Sequence, residues 1–142
     1  MHISHTVHID TPPEKVWAIT ADVANWPAFA PQFKSLVRID EGPLRMGSSA
    51  RVTPHGFFGA VWTVTQFEEG RSFAWEADML PGLHLVGDHI VEPDGGGTNV
   101  TLSLDASGPT MLLMWLALRR IFTRNVRGEA AGLKAYAERS TT

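Results

Sequence analysis

The chain has no cysteine, so proton transfer or nucleophilic chemistry must come from other groups, and its histidines are the first candidates. An imidazole takes or gives a proton near neutral pH, which is what general acid–base catalysis requires. The six histidines differ in where strand parity puts them. From Ile3 to Ile9, the odd positions Ile3, His5, Val7 and Ile9 alternate with Ser4, Thr6 and His8, the pattern of a half-buried strand. His5 therefore falls in the apolar row. In a later run Leu85, Gly87, His89 and Val91 share the inward face, with Asp88 and Glu92 outward. His5 and His89 are thus the candidate acid–base pair. For each, the alternative is a buried imidazole satisfied by a backbone carbonyl. His55 and His84 read as solvated groups near a loop end, and His2 and His8 as surface residues.

No metal is expected. His84 and Asp88 share a strand face, but that face points outward and no third ligand follows. No cofactor is expected either. Gly-x-Ser-x-Gly, P-loop and dinucleotide fingerprints are absent, and GGGT at 95–98 reads as a hairpin turn.

The elements that must position these residues follow from local pattern. Thr11 and Glu14 have capping-box spacing and Pro12 suits a first helical position, so a helix is expected from about residue 12 to Thr20. Asp22 then caps a shorter piece ending near Pro27. Strands are expected at 33–40, 48–54, 59–68, 71–78, 84–92 and 98–106, separated by Gly- and Pro-bearing turns. In TNVTLSLDA, Val100, Leu102 and Leu104 face one way and polar residues the other, which predicts an antiparallel sheet with one wet face. Beyond Pro109 the spacing turns helical, with Met111, Trp115, Leu118, Phe122, Val126, Leu133 and Ala137 along one stripe. Gly128 and Gly132 lie within that helix at a cost of roughly 1 kcal/mol each relative to alanine, which predicts close packing there. Trp17 is expected in the core under this helix, with Trp26 and Phe29 as structural braces away from any site.

A length of 142 residues with 44% hydrophobic content predicts one domain with a real core. A formal charge of −3 without a dense basic run argues against nucleic acid as a partner. The N-terminus lacks the basic flank and apolar stretch of a signal peptide, and MLLMWLAL is too short to span a bilayer. A soluble, cytoplasmic protein is expected.

In a meander, alternate turns share one end of the sheet. One set, EGPLRMG, EEGR and EPDGGGT, is mostly polar, whereas PHGFFG, DMLPGLH and SGPTMLLMW carry Phe57, Phe58, Met79, Leu80, Leu83, Met111 and Leu112. Such clustering marks a pocket mouth, or else side chains that pack on one another or on a dimer mate. The expected ligand-binding set is Phe57, Phe58, Trp62, Phe73, Trp75 and Met79, with Leu83, Leu85, Met111, Trp115 and Leu118.

The order of elements resembles the START-like (SRPBCC) superfamily, which includes polyketide cyclase/dehydrase-like and birch-pollen-allergen-like proteins. The resemblance rests on PPEKVW, on Asp22 with Trp26 and Pro27, on RSFAW at 71–75, on PGLHLVGDHIVEPDGGGT and on SGP at the last helix. It covers nearly the whole chain. It implies an α+β helix-grip fold, a curved seven-stranded antiparallel sheet wrapped around the C-terminal helix and enclosing an apolar cavity. It also implies cofactor-independent polyketide cyclases or aromatases in some members and lipid or hormone carriers in others, with no invariant catalytic motif to transfer.

The reading that results is a protein that binds a hydrophobic, polyketide-like molecule and promotes its cyclisation or dehydration as a lyase or isomerase, using His5 and His89. The alternatives are a non-catalytic carrier or sensor, and an interaction module whose apolar mouth is a homodimer interface. Arg120, Arg124 and Arg127 recur on one side of the last helix, either as a solvated face or as a surface for an acidic partner such as an acyl carrier protein or a membrane.

Overall fold

The computed structural model describes residues 1–56 and 58–141, the side chains of Ser140 and Thr141 excepted. Strand β1 (His2–Ile9) leads into α1 (Pro13–Ala21) and a 3-10 helix (Val23–Ala28). Then come β2 (Phe33–Arg38), β3 (Ser49–Pro54), β4 (Ala60–Glu68), β5 (Ser72–Leu80), β6 (Leu83–Asp94), β7 (Gly97–Ser107) and the long helix α2 (Pro109–Thr141). The seven strands form one antiparallel sheet in the order β1-β7-β6-β5-β4-β3-β2. This is the helix-grip arrangement. β5 and β6 outrun their expected ends because the hairpins stay paired up to their turns, Leu80 with Leu83 and Asp94 with Gly97.

Register shifts in β2 against β3, β4 against β5 and β5 against β6 bend the sheet, as bulges do, and its concave face receives α2. Phe73, Val91, Val100 and Leu102 from that face meet Val126, Ala130, Leu133 and Ala137 of the helix in the main core. Trp17 joins it edge-on to Phe67 and Phe73, with its indole N–H donated to Glu69 Oε1 at 3.2 Å.

The expected capping box does not form. The N-cap of α1 is Pro12, with no side-chain cap, because Thr11 is drawn into the core, where its carbonyl accepts the Thr98 hydroxyl at 2.7 Å. Asp22 does occupy the N-cap position of the 3-10 helix, again without a side-chain cap. Pro27 lies inside this short element, which keeps it short.

The segment after the 3-10 helix is clamped to α2. Gln32 Nε2 donates to Asn125 O at 3.1 Å, and a Cβ built on Gly132 would lie 2.0 Å from Phe29 O. The close packing expected at the helix glycines is therefore backbone against helix at Gly132. At Gly128 the neighbour is only the Gln32 side chain, 3.4 Å away.

A second, smaller core holds Leu83, Leu85 and Ala106 against Met111, Leu118 and Phe122. Trp115 departs from the expected stripe. It is 38% exposed, because the first turns of α2 meet little beyond this satellite cluster.

The β2–β3 connection is held by Asp40, which accepts from Arg38 at 2.8 Å and from the Ser48 hydroxyl and Ser49 amide at 2.9 Å each. Partial burial raises the Asp40 pKa, but the Ser49 amide, the Ser48 hydroxyl and the Arg38 guanidinium outweigh it and hold it at about 2. Because the folded-state value is depressed, the stability it lends is complete above its unfolded-state pKa near 4 and drains away as pH falls toward 2. Asp40→Asn is expected to cost about 2 kcal/mol at neutral pH and to flatten the acid limb of a stability-against-pH curve measured by urea unfolding.

Candidate functional site

Between the concave face of the sheet and α2 lies a pocket of about 270 Å³. Its walls are the rings of Trp26, Phe33, Trp62 and Trp75, each from a different element. The rings support one another. Trp26 stacks on Phe33 at 5.9 Å between centroids and stands edge-on to Trp75 at 5.4 Å, and Trp75 lies 5.7 Å from Trp62. The Trp26 indole N–H is donated to Thr20 O at 3.1 Å, so the end of α1 aims the ring. Gly87 completes the wall by what it lacks. A Cβ there would come within 3.3 Å of Trp75 and 3.6 Å of Trp62, so glycine lets both indoles lie against β6.

Two ionisable groups face this apolar space from opposite sides. His89, on the inner row of β6, is 5% exposed, and Glu129, on α2, is 15% exposed. Glu129 Oε1 stands 3.3 Å from His89 Nε2. The other ring nitrogen, Nδ1, lies 3.3 Å from the Phe73 carbonyl, which only accepts, so Nδ1 carries hydrogen and donates there. The ring itself is stacked on Phe73 at 4.3 Å and 12°, with Trp26 5.1 Å away. Nε2 is thereby left to exchange a proton with Glu129 or with a ligand. The pair can be neutral overall in two ways, as imidazole with carboxylic acid or as imidazolium with carboxylate. Burying a carboxylate among rings is costly without such a partner.

The pocket reaches the surface where exposed His55, Gly56 and Arg124 border it beside Met79, at the end of the sheet that carries the apolar loops. Among the expected ligand-binding residues, Trp62, Trp75, Met79 and Leu85 line it. Phe73 does not. It is wholly buried behind His89. Leu83, Met111 and Leu118 are spent on packing against one another in the satellite core. Phe58 and Trp115 are exposed outside the pocket, and Phe57 lies outside the described residues.

His5 and His89 are not brought together. His5 lies half-buried on the inner row of edge strand β1, opposite Leu102, and is not among the pocket residues. Its place beside His89 is taken by Glu129, which sequence reasoning missed. The available signal was a carboxylate three residues after Val126 and four before Leu133, at the margin of the buried stripe. Trp26, read as a brace away from any site, is instead a pocket wall.

His84 is not simply solvated. On the outer face it sits between Asp78 Oδ1 and Glu76 Oε1, 2.8 Å from each. Hydrogen bonds to Asp78 and then Glu76 raise its pKa above the ordinary histidine value. Among the described residues no group of three or more such side chains could hold a metal ion.

A family model described as polyketide cyclase / dehydrase and lipid transport matches residues 1–138. The chain belongs to that family. No curated protein matches it significantly in sequence. Among solved structures, the aromatase/cyclase ZhuI of Streptomyces sp. R1128 is 19% identical, with a TM-score of 0.83 over 100% of this chain and 96% of that one. A hypothetical protein of Helicobacter pylori is 16% identical, with a TM-score of 0.84 over 96% of this chain and 88% of the other. Ara h 8.0201 is 15% identical, with a TM-score of 0.68 over 96% and 97%. At these identities the likeness shows the helix-grip fold, and family membership makes this a hydrophobic-ligand-binding scaffold of the cyclase/dehydrase type.

Proposed function

We propose that the pocket binds a small ring-forming carbonyl compound and promotes its cyclisation or dehydration without a cofactor, with His89 and Glu129 as the proton-transfer pair. The observation that carries this reading is the contact between buried His89 and largely buried Glu129 on the wall of a pocket lined mainly by aromatic and aliphatic side chains. The volume bears on the ligand. At about 270 Å³ it is near the low end of ligand pockets, which span roughly 300–1,000 Å³. That suits a compound of one or two rings better than an extended polyketide.

In the cyclising step, Nε2 accepts a proton from a carbon flanked by a carbonyl, and the resulting enolate adds to a second carbonyl of the same molecule. One C–H bond breaks and one C–C bond forms, and the proton returns from Nε2 to the new alkoxide. Loss of that hydroxyl as water, with a neighbouring proton, completes a dehydration with no change in total oxidation state. Aromatic walls hold the chain folded, so the reaction draws on orientation as well as on proton transfer.

The second reading is a carrier, and it is favoured by the way His89 is satisfied by Phe73 O and Glu129 within the protein. Metabolite profiles separate the two. Strains of the native host lacking this gene would be complemented with wild type or with His89→Gln plus Glu129→Gln. Restoration of a lost product by wild type alone, with an uncyclised or hydrated precursor accumulating in the variant strain, supports the enzyme. Full restoration by the stably folded variant overturns it in favour of the carrier.

A further inference from the structure

The start of α2 has an outer face that the fold leaves uncovered. Leu112, Leu113 and Leu116 are 84%, 88% and 79% exposed, while Met111 and Leu118 turn inward. An ordinary surface helix keeps its leucines on the core side. Directly behind these leucines come Arg119, Arg120, Arg124 and Arg127, which line a shallow groove with Leu116. Among the described residues none of the four pairs with a carboxylate, and Arg119 instead lies 5.8 Å over the Trp115 ring. With 3.6 residues per turn, Leu113, Leu116, Arg120 and Arg127 all point away from the sheet, apolar in the first turns and cationic in the next.

This face is continuous with the pocket. Arg124 borders both the arginine groove and the pocket mouth. The helix start is also fixed rather than loose, because Thr110 donates its amide to Gly82 O at 3.0 Å and its hydroxyl to Pro81 O at 2.6 Å.

We propose that this end of the protein docks on an anionic phospholipid surface. Leu112, Leu113 and Leu116 enter the headgroup–acyl boundary, and the arginines meet lipid phosphates. Such a surface answers both halves of the face at once, hydrocarbon for the leucines and negative charge for the arginines. A second copy docked leucine to leucine would leave the arginines without counter-charge. An acidic protein would answer the arginines and leave the leucines wet. Among the described residues no helix is long and apolar enough to cross a membrane, so the contact is peripheral. Docking here sets the pocket mouth beside the bilayer, where an apolar ligand is concentrated.

The test is co-sedimentation of the purified protein with vesicles of phosphatidylcholine alone or mixed equally with phosphatidylglycerol. Binding is expected only to the mixed vesicles and is expected to weaken with added salt. Arg120→Ala and Arg127→Ala should each lower the partition coefficient about fivefold, and Leu113→Ser with Leu116→Ser should remove binding. All four side chains are exposed, so circular dichroism should show these variants folded. The proposal is overturned if the mixed vesicles do not bind, or if the variants bind as wild type does. It is also overturned if sedimentation velocity finds a dimer that the serine variant dissolves, or if an acyl carrier protein binds through the arginines while vesicles do not. The assay uses no pocket ligand, so its failure is separate from failure of the catalytic reading.

Discussion

A His89→Gln variant is expected to fold, to keep its ligand and to form product about a hundred to ten thousand times more slowly than wild type. Glutamine can still donate to the Phe73 carbonyl and fill the space between Phe73 and Trp26, but it cannot take a proton from carbon. Glu129→Gln should lose activity on the same scale, since it replaces the carboxyl group 3.3 Å from Nε2 with an amide that cannot take up or release a proton. The double variant should be little worse than either single one, as groups that act as a unit are not additive. His5→Ala should leave the rate unchanged, because His5 lies outside the pocket. Rates would be measured on the compound found by metabolite comparison, with ligand affinity and melting temperature measured on the same samples. Undiminished turnover in His89→Gln would make the pair structural.

Gly132→Ala should be among the most damaging single-methyl changes in the chain. The added Cβ would lie 2.0 Å from Phe29 O and 3.0 Å from its carbonyl carbon, so helix and loop backbone must separate. Overpacking against backbone is expected to cost about 3 kcal/mol or more, lowering the melting temperature by on the order of 10 °C. Gly128→Ala is the matched control. Its Cβ would meet only the flexible Gln32 side chain, so gained helix propensity, up to about 1 kcal/mol, should offset any crowding. Thermal melts of the two variants side by side decide the matter, and equal melting points would show that the helix and the Phe29 loop are not in register as described.

Most of the fold was legible because its signals are local. Alternation of apolar residues marked β1 and β7 most clearly, and glycines and prolines marked the turns that bound the other strands. A change to helical spacing after Pro109 marked α2. Where local reading failed, tertiary packing had overridden it. Thr11 was drawn under β7 and gave up its capping role, and Trp115 lost its place in the buried stripe where the sheet no longer covers the helix.

The site was legible only in part, for the same reason. Parity along a strand is a property of neighbouring residues, so the inward placement of His89, Trp75 and Leu85 could be read directly. Leu83, Met111 and Leu118 share the apolar character of pocket residues, and only their mutual packing assigns them to a core. The sequence by itself determined which residues of β5 and β6 face inward, which end of the sheet collects apolar loops, and that the helix must approach another element closely. Tertiary structure alone decided that His89 meets Glu129 rather than His5, and that Trp26 closes the pocket. Those contacts depend on how α2 and the 3-10 helix lie across a sheet curved by its bulges, and no spacing within one element encodes the register between two.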